Sequence, residues 1–317
     1  MTGSSTPIPP GAHDHIVNLR DGTVLRGLSW TCDNPGGVVV LRTPYDAARH
    51  ESTGRAWAHR GYECLIQDVR GRYRSGGSWV PYRHESADGG EVVDAVADAR
   101  PGLPILVYGA SYAAHTALEA TQTATAEVAA VITAVPVLGP AETTVDAHGA
   151  PQTRHRVGWW HEHGHGRTSR PPLTDAELDA RTTRVDEAGG RAAATEWGWP
   201  EPTQQAWRDL WSAVPVDVAR RFRDITSPLL VLSGHHDFFD HDARRLARDW
   251  PGPAHFAVGP WGHRVGRGLS AVIDPWLASQ GLPGRPAPWT SILHAHRPTS
   301  STFDAAANTW RHERTLP

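Results

Sequence analysis

The first chemical signal in this chain is the hexapeptide Tyr108-Gly-Ala-Ser-Tyr-Ala113, which sets Ser111 between an apolar strand-like run and a helix-like one. A serine hydroxyl becomes a nucleophile when a base takes its proton and a sharp strand-to-helix turn lifts it clear of the sheet. Such a turn strains the backbone, and the small residues Gly109 and Ala113, two positions before and two after, leave room for it. Ala113 stands where a second glycine is usual. The same residues also fit a plainer reading, a serine capping a helix N-terminus.

A base and a group to orient it must come later in the chain, each after a strand, if the serine is to work. Leu229 to Ser233 runs into Gly234-His-His-Asp237, and His255 to Val258 runs into Gly-Pro-Trp-Gly-His263. The order Ser111, Asp237, His263 therefore matches nucleophile, orienting acid and general base. Asp240 and Asp242 compete with Asp237 for the acid's place, since an aspartate after a strand is often a helix cap.

These residues need a scaffold that gathers strand ends. Two alternating runs flank Asp21-Gly22 between Ile16 and Trp30, a hairpin signal that predicts an antiparallel opening. Apolar runs at Val38 to Leu41, Cys64 to Val69, Ile105 to Tyr108 and Val128 to Val135 then alternate with helical stretches at Thr53 to Arg60, Ser86 to Ala99 and Tyr112 to Thr123. Continuous apolar strands separated by helices predict a parallel sheet with crossovers. From Gly139 to about Asp224 the pattern stops, and Trp, His, Arg, Gly and Pro dominate, with helical patches at Asp175 to Ala188 and Gln204 to Trp211. The expectation is an α/β fold with a core at 15–138 and 226–285, a helical cap inserted at 139–225, and a flexible tail over 1–14. No internal repeat is visible.

Composition narrows the partners. The 317 residues carry 31 basic residues, all arginine, against 34 acidic ones, a formal charge of −3 without a long basic or acidic block. That argues against nucleic acid and anionic membrane as partners. No stretch is apolar enough to span a bilayer, and the start lacks the basic and apolar segments of a secretory signal. Cys32 and Cys64 are too few for a disulfide framework, so a cytoplasmic setting is expected.

With these residues in place, the chain resembles the cocaine esterase and X-Pro dipeptidyl-peptidase family, the CocE/NonD hydrolases. The matching segments, in order, are Asp21-Gly-Thr-Val-Leu-Arg26, Leu41-Arg-Thr-Pro-Tyr45, Arg60-Gly-Tyr62, Gln67-Asp-Val-Arg-Gly-Arg72 with Ser75-Gly76, Tyr108 to Tyr112, Pro228 to Phe239 and Gly259 to His263. The resemblance spans roughly residues 15 to 280 and is weakest in the cap, where Glu201-Pro-Thr203 and Trp207 to Trp211 carry it. It implies the α/β-hydrolase fold, a triad of Ser111, His263 and Asp237, and an oxyanion hole made by the Tyr45 hydroxyl and the Tyr112 backbone N–H. Preorganised donors of that kind are worth on the order of 3 kcal/mol each. Two departures stand out. His235-His236 replaces an aromatic pair that usually precedes the acid, and residues 286–317 look like only the opening of the jelly-roll domain that relatives carry, which puts the family's aryl ester and X-Pro substrates in doubt.

Other clusters admit two readings. His161-Glu-His-Gly-His165 satisfies the metal-binding pattern H-E-x-x-H, but Gly164, Gly166 and Pro171-Pro172 argue against the helix it needs, which favours a polar lid loop. Trp159, Trp160, Trp207 and Trp211 are either cap core or the wall of a pocket for a bulky acyl group, and His155, His235 and His236 could line its mouth. Asp68, Arg70 and Arg72, with Glu85 and Asp88, read as structural ion pairs. The chemistry expected is two-step acyl transfer on a small-molecule ester, thioester or amide, with no cofactor and no metal. An acyltransferase or cyclase using the same triad, and a non-catalytic binding protein on the same fold, are the competing readings.

Overall fold

The computed structural model describes residues 8–146, 148–265, 268–282, 299–304, 306–307 and 309–313. Strands β1 (His13–Asn18) and β2 (Val24–Trp30) pair antiparallel across the Asp21-Gly22 turn, where Gly22 takes a φ of 82°. The chain then alternates β3 (Val38–Thr43), α1 (Glu51–His59), β4 (Glu63–Asp68), α2 (Glu85–Ala99), β5 (Ile105–Ala110), α3 (Tyr112–Ala120) and β6 (Val128–Ala134). The inserted cap follows with α4 (Thr153–His163), α5 (Asp175–Ala188), the single turn α6 (Gly190–Ala193), α7 (Glu201–Leu210) and the short α8 (Val218–Arg221). The sheet resumes at β7 (Leu229–Gly234), with α9 (Asp240–Asp249), β8 (Ala254–Gly259) and α10 (Ser270–Ser279) after it.

All ten described strands form one sheet in the order β1-β2-β4-β3-β5-β6-β7-β8, continued by β9 (Thr299–Asp304) and β10 (Thr309–Glu313). Every neighbouring pair from β4 to β9 is parallel, so the carboxyl ends of β3, β5, β7 and β8 share one edge. This is the α/β-hydrolase arrangement. Apolar residues coat both faces of the sheet, Val40, Val107, Val131 and Val231 on one and Leu41, Leu106, Ile132 and Leu232 on the other, as period-two strands buried on both sides require. In the segment expected to open a jelly roll, β9 and β10 instead lengthen this central sheet, and residues 286–298 and 314–317 lie outside the described residues.

The cap carries a core of its own. Val157, Trp160, Val185, Trp199, Trp207 and Leu210 are buried together, with Trp160, Trp199 and Trp207 in mutual ring contact. That packing corrects the expected lid loop. Helix α4 runs through His161, Glu162 and His163 because Val157 and Trp160 anchor it, and Gly164 caps its end instead of preventing it. His165 falls beyond the helix, so the H-E-x-x-H residues do not share one helical face.

Arg72 ties cap to sheet. Its Nη1 donates to the Gly166 carbonyl at 2.8 Å, its Nη2 to Ser169 Oγ at 3.1 Å and its Nε to the Pro44 carbonyl at 3.0 Å. The expectation of an ion pair at Arg72 is thus replaced by a guanidinium that donates to carbonyl and hydroxyl oxygens. Arg42, which the sequence reading passed over, fills the ionic place instead. It is buried beside Glu85 and Asp88 at 3.6 and 3.7 Å, while Arg70 reaches Asp88 at 2.6 Å.

Burial, followed by the charges of Arg72 and Arg49, holds His163 well below its ordinary 6.5, at about 4. Its folded pKa lies below the unfolded one, so its contribution to stability is present above pH 6.5 and is lost as pH falls toward 4. Buried acids such as Asp68, raised to about 7, act in the opposite sense, so the comparison must be made between proteins. The melting temperature of the wild type relative to His163→Gln is expected to drop as pH goes from 7 to 4. A constant difference across that range, measured by thermal denaturation, contradicts the assignment.

Candidate active site

Ser111 occupies the turn between β5 and α3 with φ 56° and ψ −124°, a conformation that L-residues adopt only under constraint. Its backbone N–H donates to the Ala134 carbonyl at 2.9 Å, and its carbonyl accepts from Ala114 at 3.0 Å, so the turn is held from the sheet and from the helix. Gly109 is required here. A Cβ on it would stand 1.9 Å from the Ala113 carbonyl oxygen, which explains why this side of the hexapeptide keeps its glycine.

The loops after β7 and β8 bring the other two residues in. The His235 N–H donates to the Gly259 carbonyl at 2.8 Å and the His236 N–H to the Trp261 carbonyl at 2.9 Å, which locks the loops together. Gly234 admits this approach, because a Cβ there would lie 2.2 Å from the Trp261 carbonyl oxygen. Across the lock, His263 Nδ1 bonds Asp237 Oδ1 at 2.8 Å and His263 Nε2 bonds Ser111 Oγ at 2.9 Å. The Asp237 side chain is fully buried, whereas Asp240 is taken by Ser233 and Arg244 and Asp242 by Arg245. Phe238 stacks on the imidazole at 4.5 Å between ring centres, and Phe239 meets it edge-on.

Tyr45, at the end of β3, extends its hydroxyl to the reach of the Ser111 side chain. Trp159 Nε1 donates to that hydroxyl oxygen at 2.9 Å, and the Trp159 ring stacks on Tyr112 with 14° between planes. Burial pushes the Tyr45 hydroxyl up to about 12, so it is a proton donor at any physiological pH. With its oxygen already accepting from Trp159, its own proton is left for another acceptor. The Tyr112 N–H begins α3 and has no acceptor within the helix. The Tyr112 hydroxyl donates to Glu85 Oε1 at 2.9 Å and accepts from the Tyr82 N–H at 2.6 Å, fixing the ring that Trp159 covers.

These groups open onto a cavity of about 480 Å³, a size typical of small-molecule sites. Trp159, Trp160 and His155 line it, but four other residues expected there do not. His235 and His236 are exposed and serve the site through their backbones alone. Trp207 is fully buried in the cap core, and Trp211 packs behind the cavity against Arg156 and Gly190. Their places are taken by Phe238, Phe239, Tyr82, Thr143, Arg156 and Glu162, which sequence reasoning missed as site residues. The spacing Arg156, Trp159, His163 was the available signal, because positions three and seven apart share a helix face once α4 is known to be a helix.

Comparison with known proteins agrees with this architecture. Residues 22–265 match the X-Pro dipeptidyl-peptidase family, S15. Cocaine esterase from Rhodococcus sp. (strain MB1 Bresler) is 24% identical over 292 residues, an alignment covering 80% of this chain and 49% of the relative. The chain thus spans about half the length of that curated relative. Among solved structures, an aminopeptidase from a marine sediment Thaumarchaeota archaeon superposes with a TM-score of 0.65 at 18% identity, covering all of this chain and 62% of the other. An α-amino acid ester hydrolase gives the same TM-score at 15% identity, with 100% and 61% coverage.

The turn at Ser111 depends on the missing Cβ of Gly109. Gly109→Ala is expected to push α3 from β5 at a cost of roughly 3 kcal/mol or more, read as a lowered melting temperature with weakened labelling of Ser111. An unchanged melting curve means the elbow tolerates the added methyl.

Proposed function

Since the chain belongs to the X-Pro dipeptidyl-peptidase (S15) family, we propose that it is a serine hydrolase that cleaves an ester or amide bond of a small acyl substrate through an acyl-enzyme. The observation that carries this reading is the unbroken line of hydrogen bonds from Asp237 through His263 to Ser111. In the proposed first step His263 Nε2 takes the proton from Ser111 Oγ as that oxygen attacks the substrate carbonyl. Asp237 holds Nδ1–H and stabilises the imidazolium that forms. The carbonyl oxygen gains negative charge and accepts from the Tyr45 hydroxyl and the Tyr112 N–H. His263 then returns the proton to the leaving alcohol or amine, and water, activated by the same histidine, releases the acid.

Trp159 enters this scheme as a positioning residue. Its N–H fills the Tyr45 oxygen from the cap side, which turns the phenolic proton toward the reacting carbonyl. The aromatic lining supports an apolar or aromatic portion of the substrate beside the scissile bond. Thioester cleavage and acyl transfer to an amine or alcohol use the same steps with a different leaving group or acceptor.

A fluorophosphonate probe is expected to label Ser111, and Ser111→Ala to lose labelling and turnover of phenyl esters; labelling at another residue refutes the scheme. Tyr45→Phe is expected to lower kcat by about 10²-fold or more. Trp159→Phe keeps a ring to stack on Tyr112 but loses the N–H, so kcat is expected to fall by about tenfold, through one neutral hydrogen bond, with KM little changed. An effect of Trp159→Phe on KM alone points to substrate contact instead of positioning.

A further inference from the structure

His263 is more open than the acid that orients it. Its side chain is 32% exposed, whereas that of Asp237 is fully buried. In the resting site two hydrogen bonds set the imidazole, Nδ1 to Asp237 Oδ1 at 2.8 Å and Nε2 to Ser111 Oγ at 2.9 Å. Formation of an acyl-enzyme removes the second of these. Ser111 Oγ is then an ester oxygen with no proton to donate, and Nε2 has no partner until water arrives. Over that interval the Asp237 bond holds one edge of the ring and restrains its plane only weakly.

Aromatic contacts supply the missing restraint. Phe238, the residue after Asp237, stacks on His263 with ring centres 4.5 Å apart and 22° between planes. Phe239 meets the same imidazole edge-on at 5.7 Å, and the two phenyl rings touch at 4.5 Å between centres. Phe238 also stacks on His155 of α4, at 5.0 Å and again with 22° between planes. The ring that covers the base is therefore itself packed against the cap.

We propose that Phe238 is a positioning residue for deacylation, holding the His263 ring in the plane it had beside Ser111 while the acyl-enzyme awaits water, with His155 bracing Phe238 from the cap. The number of restraints confines this role to one half of the reaction. Before acylation the bond to Ser111 already sets the ring, and the stack adds little. Afterwards the stack, with the Asp237 bond, keeps Nε2 aimed at the ester. There Nε2 takes a proton from water as the water oxygen bonds to the acyl carbon, and returns it to Ser111 Oγ as the bond from that oxygen to the acyl carbon breaks. A base that has swung from this plane must be reoriented before each release, which slows the second step and spares the first.

The inference rests on the acyl-enzyme reading, and 4-nitrophenyl benzoate separates the two steps because its leaving group makes acylation fast. The burst of nitrophenolate reports acylation, and intact-protein mass after removal of substrate reports decay of the benzoyl adduct. Phe238→Leu is expected to keep the burst rate and kcat/KM within about twofold of the wild type while slowing adduct decay about three- to tenfold, the worth of an aromatic pair. The values of kcat and KM then fall together. Phe238→Tyr keeps a ring to stack and is expected to restore the decay. A lower kcat/KM with unchanged decay of the adduct, as a merely structural loss produces, overturns the assignment, and so does a raised KM with unchanged decay, which points to substrate contact. Should Phe238→Leu not fold, His155→Leu at its exposed position decides, with decay expected to slow about twofold and an unchanged decay counting against the role. A wild type that forms no benzoyl adduct and releases no nitrophenolate removes the hydrolase reading and this role with it, whereas normal decay in the Phe238→Leu protein removes the role alone.

Discussion

One indole joins the two halves of this molecule at the point where they meet the candidate nucleophile. Trp159 belongs to the cap, yet its N–H donates to Tyr45 at the end of β3 and its ring covers Tyr112 at the start of α3. A buried indole N–H without an acceptor is costly, and Tyr45 supplies the acceptor. The bond has a second effect, since a phenol that already accepts from one side offers its proton on another. Cap docking and the orientation of a donor toward Ser111 are therefore the same contact.

Around that contact the fold arranges charge with unusual economy for a chain whose basic residues are all arginine. Arg72 reaches across to three cap residues through carbonyl and hydroxyl oxygens, where a carboxylate partner would have been the simpler expectation. Arg42 sits beneath, flanked by Glu85 and Asp88, and Glu85 in turn accepts from the Tyr112 hydroxyl. A line of polar contacts thus runs from a buried ion pair to the residue following the serine. The planar, multidonor guanidinium suits both tasks, because it can satisfy several acceptors from one buried position. Arg156 shows the limit of this, with Nη1 and Nη2 buried and without a hydrogen-bond partner among the described residues.

Much of the sheet was legible from the chain because buried parallel strands are continuous apolar runs and their crossovers are helical. Asp175 to Ala188 matches its observed ends, helped by a Thr174–Glu177 capping box. Helix α4 was hidden. Its polar and aromatic residues fall all round the helix, Gly164 and Gly166 just beyond its end argue for a loop, and its stability comes from packing Val157 and Trp160 into a core assembled from three other segments. Pocket residues behind it were hidden for the same reason, so His235, His236, Trp207 and Trp211 were favoured over Phe238, Tyr82 and Arg156. Adjacent to the acid, the two histidines looked like pocket residues, but their side chains point away once the backbone is used to lock two loops.

The order Ser111, Asp237, His263, with each residue just after a strand, was determined by the sequence alone, because local patterning marks strand ends and a parallel sheet gathers those ends at one edge. The resemblance to a known family added Tyr45 and Tyr112 to that set. Tertiary structure decided what surrounds them: which indole touches Tyr45, which rings enclose His263, and which buried arginine spans cap and sheet. Those outcomes depend on the docking of a cap whose helices contact one another and the sheet across long sequence separations. Such packing leaves no periodic trace in the residues that take part.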